Sequence, residues 1–162
     1  MNKGAALGHV GSRRQHAGFT LIEALVVIAI VGIFAALAAP SFSNTIANMR
    51  IKSTSFDLVN DLNAARSEAI KRNAEVVIVA EGGDWNQGWR LTAGGTTLKA
   101  HEAPTGSVAI ASAVDAINFQ GNGRPDAAAT LSITSSLSGV AARCVELQAT
   151  GSARSLKEAC PS

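Results

Sequence analysis

Between Gly18 and Pro40 every residue is apolar or Gly except Thr20 and Glu23. Phe19 to Ala39 is a run of 21 residues. As one helix it spans roughly 30 Å, the thickness of a bilayer's hydrocarbon core. After Pro40 the apolar positions fall near a three-four spacing: Phe42, Ile46, Met49, Phe56, Val59, Leu62, Ala69 and Ile70, interrupted at Ser53 and Arg66. This predicts an amphipathic helix ending around Asn73. Its other side carries Arg50, Lys52, Asp57, Asp61 and Lys71, so Asp57 and Asp61 are expected on a solvated face. Glu68 can pair with Arg72 one turn later. Pro40 lacks an amide hydrogen and crowds the preceding turn, so a break or kink is expected there.

The period then shifts to two. Val76 to Ala80 reads as a strand, and Trp89 to Thr92 and Thr96 to Lys99 flank Gly94-Gly95 as a hairpin. Short strands are also expected at Val108 to Ala111, Ile117 to Phe119, Leu131 to Thr134 and Cys144 to Gln148, separated by Gly121-Asn122-Gly123 and Pro125-Asp126. Strands after one long helix read as α+β, with an antiparallel sheet packed on the helix. The organisation expected is a leader at 1–18, a membrane helix at 19–40 and a head at 41–162, helical to residue 73 and β-rich beyond.

Composition sharpens this picture. Aromatic residues are 4% of the 162, with no Tyr, so the core must be mostly Ala, Val, Ile and Leu. The formal charge of +2 is misleading, because Lys3, Arg13 and Arg14 precede Gly18 and no acid does. From Phe19 onward 11 basic residues face 12 acidic ones, a net of −1. A bulk electrostatic case for nucleic acid therefore disappears with the leader, and only a local patch could bind it. His9 and His16 also precede Gly18, leaving His101 and two Cys, too few for a zinc or His-based catalytic site. No metal or cofactor is expected. Cys144 and Cys160 are either reduced thiols or, in an exported chain, a disulfide contributing about 3 kcal/mol on the chain-entropy model.

The basic residues before the apolar run place the N-terminus in the cytoplasm and everything after Pro40 outside it. A buried helix of a soluble protein would show more of a polar face. A secretory signal peptide cleaved near Ala36-Leu37-Ala38 would have a shorter apolar core, and Pro40 would sit awkwardly close to the cut. Glu23 is the anomaly. A carboxylate in hydrocarbon costs a few kcal/mol unless it is neutralised or paired. Cleavage after Gly18 would create an α-amino group on Phe19 at the same depth, on this chain or a neighbour.

Gly18-Phe19-Thr20-Leu21-Ile22-Glu23 resembles the processing site of type IV prepilins and type II secretion pseudopilins, with Glu at the fifth mature position and Pro40 at the twenty-second. The resemblance implies cleavage between Gly18 and Phe19 by prepilin peptidase and N-methylation of Phe19. It also implies that Glu23 pairs with a neighbouring subunit's amine during assembly. Asp61 to Val76, Gly88-Trp89-Arg90-Leu91 and Gly121 to Pro125 are similar to stretches of the GspH/FimT-type minor pseudopilins. The resemblance thus implies a pilin-like α+β subunit of the bacterial inner membrane with a periplasmic head. Its expected partners are other minor and major pilins or pseudopilins, prepilin peptidase and inner-membrane lipid.

No G-x-S-x-G, P-loop or H-E-x-x-H motif occurs, and Gly121-Asn122-Gly123 does not continue as a dinucleotide fingerprint. No catalytic residue is assigned, and a non-enzyme is expected. Trp85 and Trp89 are expected to form a turn packed on the sheet. DNA binding is the alternative. Some FimT-type pilins resemble DNA-uptake receptors with a Gly-Arg-x-Arg tail, and Gly151-Ser152-Ala153-Arg154 keeps only its second Arg. Arg143 and Lys157 could add phosphate contacts, with Arg124 as an outside candidate, against Glu146 and Glu158 nearby.

Overall fold

The computed structural model describes residues 19–161. The chain divides into two compact units, one ending at Ala38 and the other comprising Ala39–Ser162. Helix α1 spans Leu21–Arg72 and contributes to both. Its start follows from Thr20, whose side-chain oxygen accepts the Glu23 amide at 3.3 Å and satisfies one of the first turn's free donors. Glu23 lies in that first turn, where the helix dipole favours a negative charge.

The helical assignment runs through Pro40 without interruption. The helix ends where the pattern predicts: Asn73 takes a positive φ of 48°, and the Ala74 amide donates back to the Ala69 carbonyl at 3.2 Å. This left-handed cap closes the last turn.

In the first unit the apolar side chains from Phe19 to Phe34 stand exposed. Among the described residues α1 is long and apolar enough to cross a membrane, with a mean hydropathy of 2.8 in its most apolar window and none of that window buried.

In the head, the stripe of α1 that packs inward is Ala47, Ile51, Thr54, Ser55, Leu58, Asp61, Leu62, Ala65 and Ala69. This corrects part of the expected face: Leu62 and Ala69 are buried as expected, but Phe42, Met49, Phe56 and Ile70 are exposed. The reason is one of size. Alanines at 47, 65 and 69 let the strands approach the helix closely, so small residues line the contact while the bulky ones point away.

Eight strands follow: β1 Val76–Ala80, β2 Gly88–Ala93, β3 Thr96–Glu102, β4 Val108–Ser112, β5 Ala116–Phe119, β6 Ala129–Ser135, β7 Arg143–Leu147 and β8 Ala153–Leu156. They form two four-stranded sheets, ordered β3-β2-β1-β5 and β4-β6-β7-β8, and every pairing is antiparallel. Strand β4 enters the second sheet before β5 returns to complete the first. The β2–β3 turn uses Gly94 and Gly95 with φ of 55° and 80°, the backbone that a tight hairpin requires. Alternate residues face inward: Val76, Ile78 and Ala80 on β1, Leu131 and Ile133 on β6, and Val145 and Leu147 on β7. With Trp85, Trp89, Phe119 and the α1 stripe they form one core. Strand β8 is absent from the sequence expectation. It is four residues long and only half-buried, so it lacks the alternation that marks a strand.

Candidate functional site

Three regions carry the chemistry. The first is the start of α1. Gly18 lies outside the described residues. Phe19 is 78% exposed, and Glu23 is exposed with its backbone fixed by Thr20. Among the described residues its carboxylate has no cation partner within the chain.

The second region is where α1 meets β2 and β3. Asp61, expected in solvent, is 1% exposed. Its position follows from the corrected stripe, since it lies three residues after Leu58 and four before Ala65. Oδ2 accepts the Trp89 indole N–H at 2.9 Å, and Oδ1 is ion-paired with Lys99. The His101 ring stacks on Trp89, centroids 4.1 Å apart and nearly parallel, as their direct cross-strand pairing dictates. His101 Nε2 also lies 3.6 Å from Asp57 Oδ2. One buried carboxylate thus ties helix, indole and edge strand together. Trp85 is buried as well and donates to the Val114 carbonyl at 2.7 Å. Asp61, Trp89 and Lys99 are thus satisfied by one another.

The third region is the C-terminal quarter. A disulfide joins Cys144 on β7 to Cys160. Arg154, though exposed, is not a free cation: it donates to Glu146 through Nε and Nη2 at 3.0 and 2.8 Å. The two residues are direct partners across β7 and β8. Arg143 Nη1 donates to Ser155 Oγ at 3.4 Å, and Lys157 is exposed. Arg124 is turned to the Ala149 carbonyl at 3.4 Å. Arg66, on α1, donates to the Gly151 carbonyl at 3.4 Å.

The Gly121-to-Pro125 and Gly151 turns meet the end of α1. A Cβ on Gly123 would come within 2.6 Å of Ile70, and one on Gly121 within 2.7 Å of the Asn73 backbone. One on Gly151, whose φ is 82°, would collide with the Gly123 carbonyl oxygen. Close approach, rather than ligand binding, accounts for these glycines. Asp126 anchors the same turn. Hydrogen bonds from the Gln120 and Asn118 side chains hold its carboxyl below the usual carboxylate range.

Residues 56–151 match the family described as type II transport protein GspH, and residues 13–39 match the prokaryotic N-terminal methylation motif. The first match alone covers more than half of the chain. The chain belongs to the GspH family. Its fold is similar to that of the type IV minor pilin FimU of Pseudomonas aeruginosa. In one crystal form the TM-score is 0.59 at 22% identity, covering 68% of this chain and 98% of that one. A second form gives 0.56 at 23%, covering 67% and 87%. Shorter matches join it to fimbrial proteins: 45% identity over 51 residues with EcpC of Eikenella corrodens and 46% over 50 residues with one from Moraxella nonliquefaciens. These cover 32% and 31% of this chain, and about a third of each relative, 33% and 32% respectively. The long N-terminal helix packed on antiparallel sheets is the arrangement the chain shares with the FimU pilin. The chain carries the methylation motif as well as an apolar helix suited to a membrane anchor.

Of the residues named from sequence, Cys144 and Cys160 are brought together, and Arg154 is paired with Glu146. The Asp61–Trp89–Lys99 contact escapes sequence reasoning. Its signal is present in the three-four offsets of Asp61 from Leu58 and Ala65, but a carboxylate on a helix is by default assigned to solvent.

Proposed function

We propose that the protein is a minor pilin or pseudopilin stored in the inner membrane through α1, with its N-terminus cytoplasmic and its head periplasmic. It is assembled with other pilins near the tip of a type IV pilus or type II secretion pseudopilus. Prepilin peptidase cleaves between Gly18 and Phe19, Phe19 is N-methylated, and Glu23 meets the α-amino group of a neighbouring subunit. The observation that carries this reading is an exposed carboxylate without a cation partner among the described residues, placed in the first turn of an unburied apolar helix. The exposed row Phe42, Met49, Phe56 and Ile70, at multiples of seven residues, gives the head's part of α1 an outward apolar face. It supports packing of α1 against the α1 of an adjacent pilin. No part of this role requires catalysis, and the protein acts as a structural subunit. N-terminal sequencing and mass measurement of the mature protein should find N-methyl-Phe19 as its first residue. Any other first residue overturns the processing and pairing scheme.

The DNA-uptake reading receives no support from the geometry. Arg154, its central residue, is held by Glu146, and Arg124 by a backbone carbonyl.

A further inference from the structure

A sheet ends at a strand with one neighbour. The head has four such strands, β3 and β5 in one sheet and β4 and β8 in the other. An open edge offers amides and carbonyls to any passing strand, and charges, bulges or covering segments ordinarily guard it. Strand β3 carries Lys99 and Glu102, and its pairing with β2 slips between Leu91 and Thr92. Strand β5 is covered by the turn that follows it: Pro125 bridges to Phe119, and the Asp126 amide donates to the Asn118 carbonyl at 3.1 Å. Strand β8 is four residues long and carries Arg154. Strand β4, Val108-Ala109-Ile110-Ala111-Ser112, has no charge, no Pro and no Gly.

The outward groups of β4 follow from its register. The Ser136 amide donates to the Ser107 carbonyl at 3.0 Å, and bonding direction alternates along an antiparallel strand. Ala109 and Ala111 therefore bond to β6, while Val108, Ile110 and Ser112 aim their amides and carbonyls away from it. One side chain meets this row. The Ile110 N–H donates to Asn86 Oδ1 at 2.8 Å, and Asn86 Nδ2 donates back to the Ile110 carbonyl at 3.0 Å. A residue on a neighbouring antiparallel strand would make the same two bonds. The carboxamide is itself held in place, because Nδ2 also donates to Asp84 Oδ1 at 2.8 Å and the Asn86 backbone amide donates to that oxygen at 2.9 Å. A hollow of about 500 Å³ runs along Ile110 to Asp115 and leaves space for an approaching strand.

We infer that Asn86 acts as a one-residue strand that keeps β4 shut, and that the edge beneath it is a self-complementary pairing surface for a second copy of this chain. A second copy fits by symmetry. Two-fold antiparallel pairing about Ile110 sets Ile110 opposite itself and Val108 opposite Ser112, with the small, exposed Ala109 and Ala111 opposite each other and no charge on either strand. Asp84 and Asp115 border the hollow on each copy and add a repulsion that salt screens.

The test uses the full-length chain in a neutral detergent at moderate salt, with protein mass from light scattering and residue-resolved hydrogen exchange. In the wild type the Ile110 amide should exchange at least about tenfold more slowly than those of Val108 and Ser112. Equal rates for the three mean that the carboxamide does not close the edge, and they overturn the inference without any variant. Asn86→Ala should raise the protein mass about twofold over wild type at equal concentration and slow exchange at Val108, Ile110 and Ser112 as concentration rises. Association through α1 is common to both chains and cancels in the comparison. Asn86→Asp keeps an acceptor for the Ile110 N–H but sets a carboxylate against the Ile110 carbonyl and against its own copy, so it should stay at the wild-type mass. Thermal melting checks that each variant folds. If Asn86→Ala does not, Asn86→Ser, too short to span both Ile110 groups, takes its place. A folded variant at the wild-type mass overturns the pairing surface. Added mass without slowed exchange in β4 puts the contact elsewhere and overturns it too, as does association of Asn86→Asp as strong as that of Asn86→Ala.

Discussion

At Asp61 a single carboxylate decides how the edge of one sheet meets the helix. Replacing it with Ala leaves the buried Trp89 N–H without an acceptor, and that loss dominates because Lys99 is 52% exposed and can turn to water. Asp61→Ala should therefore destabilise the head by about 1–3 kcal/mol, and Lys99→Ala by less than about 1 kcal/mol. Urea unfolding of the full chain followed by fluorescence of the two buried indoles would measure both. Equal losses would show that the charge pair, and not the indole bond, is the anchor. Acid sensitivity is expected at Asp84 and Asp126. Asp84 is held below its usual range chiefly by the Asn86 amide, and Asp126 by the side chains of Gln120 and Asn118. A carboxyl depressed in the folded state contributes stability that is complete above the unfolded value near 4 and is lost as pH falls through the folded value. The melting temperature should thus be flat above about pH 5 and fall below about pH 4, with a shallower fall in Asp126→Asn. Sequence reasoning could not find Asp61, since only knowing which face of α1 is buried turns an ordinary helical acid into a core residue.

Elements are legible where side chains alternate and obscure where packing is governed by small residues. The boundaries of β1 and the turn of the β2–β3 hairpin emerge from β-branched runs and a Gly-Gly pair, although β3 runs on to Glu102, past the expected end at Lys99. The inward face of α1 does not emerge, because Ala47, Ala65 and Ala69 carry little hydrophobic signal while exposed Phe42, Met49 and Phe56 carry much. Strand β8 escapes for a related reason: its stability comes from partnership with β7 and the nearby disulfide, not from its own four residues. Removing that crosslink by Cys160→Ser should cost about 3 kcal/mol in chain entropy terms. The change in unfolding midpoint under oxidising conditions reads it, and no difference from wild type would mean that the tail is held by its other contacts. The turn before β8 is more demanding. Gly151→Ala combines a left-handed backbone with a clash against Gly123 and should lose about 1–3 kcal/mol. Ser152→Ala, one residue on and exposed, should change stability by no more than about 0.5 kcal/mol. Similar values for the two would indicate that the loop relaxes.

Across the whole molecule, the N-terminal motif announces a family, and the α+β arrangement can be read from the order of one helix and many strands. The division into two sheets cannot, because the switch of β4 from one to the other leaves no mark in hydrophobic period. On the proposed assembly scheme, function at this scale depends on Glu23. Glu23→Ala should leave membrane insertion and cleavage intact and reduce incorporation into sheared filaments by about tenfold, the effect of losing roughly 1.4 kcal/mol. Immunoblots of filament and membrane fractions would register it, and wild-type incorporation would refute the pairing. On the proposed topology, the threading of β4 bears on how the head matures. With the N-terminus held in the cytoplasm and the head exported from residue 41 onward, the first sheet cannot be finished until Phe119 has emerged. By then the chain already displays β4, whose partner β6 begins ten residues later at Ala129. A half-delivered head therefore exposes an unpaired edge to every other pilin in transit, and slow export should lead to aggregates containing full-length but incompletely zipped heads.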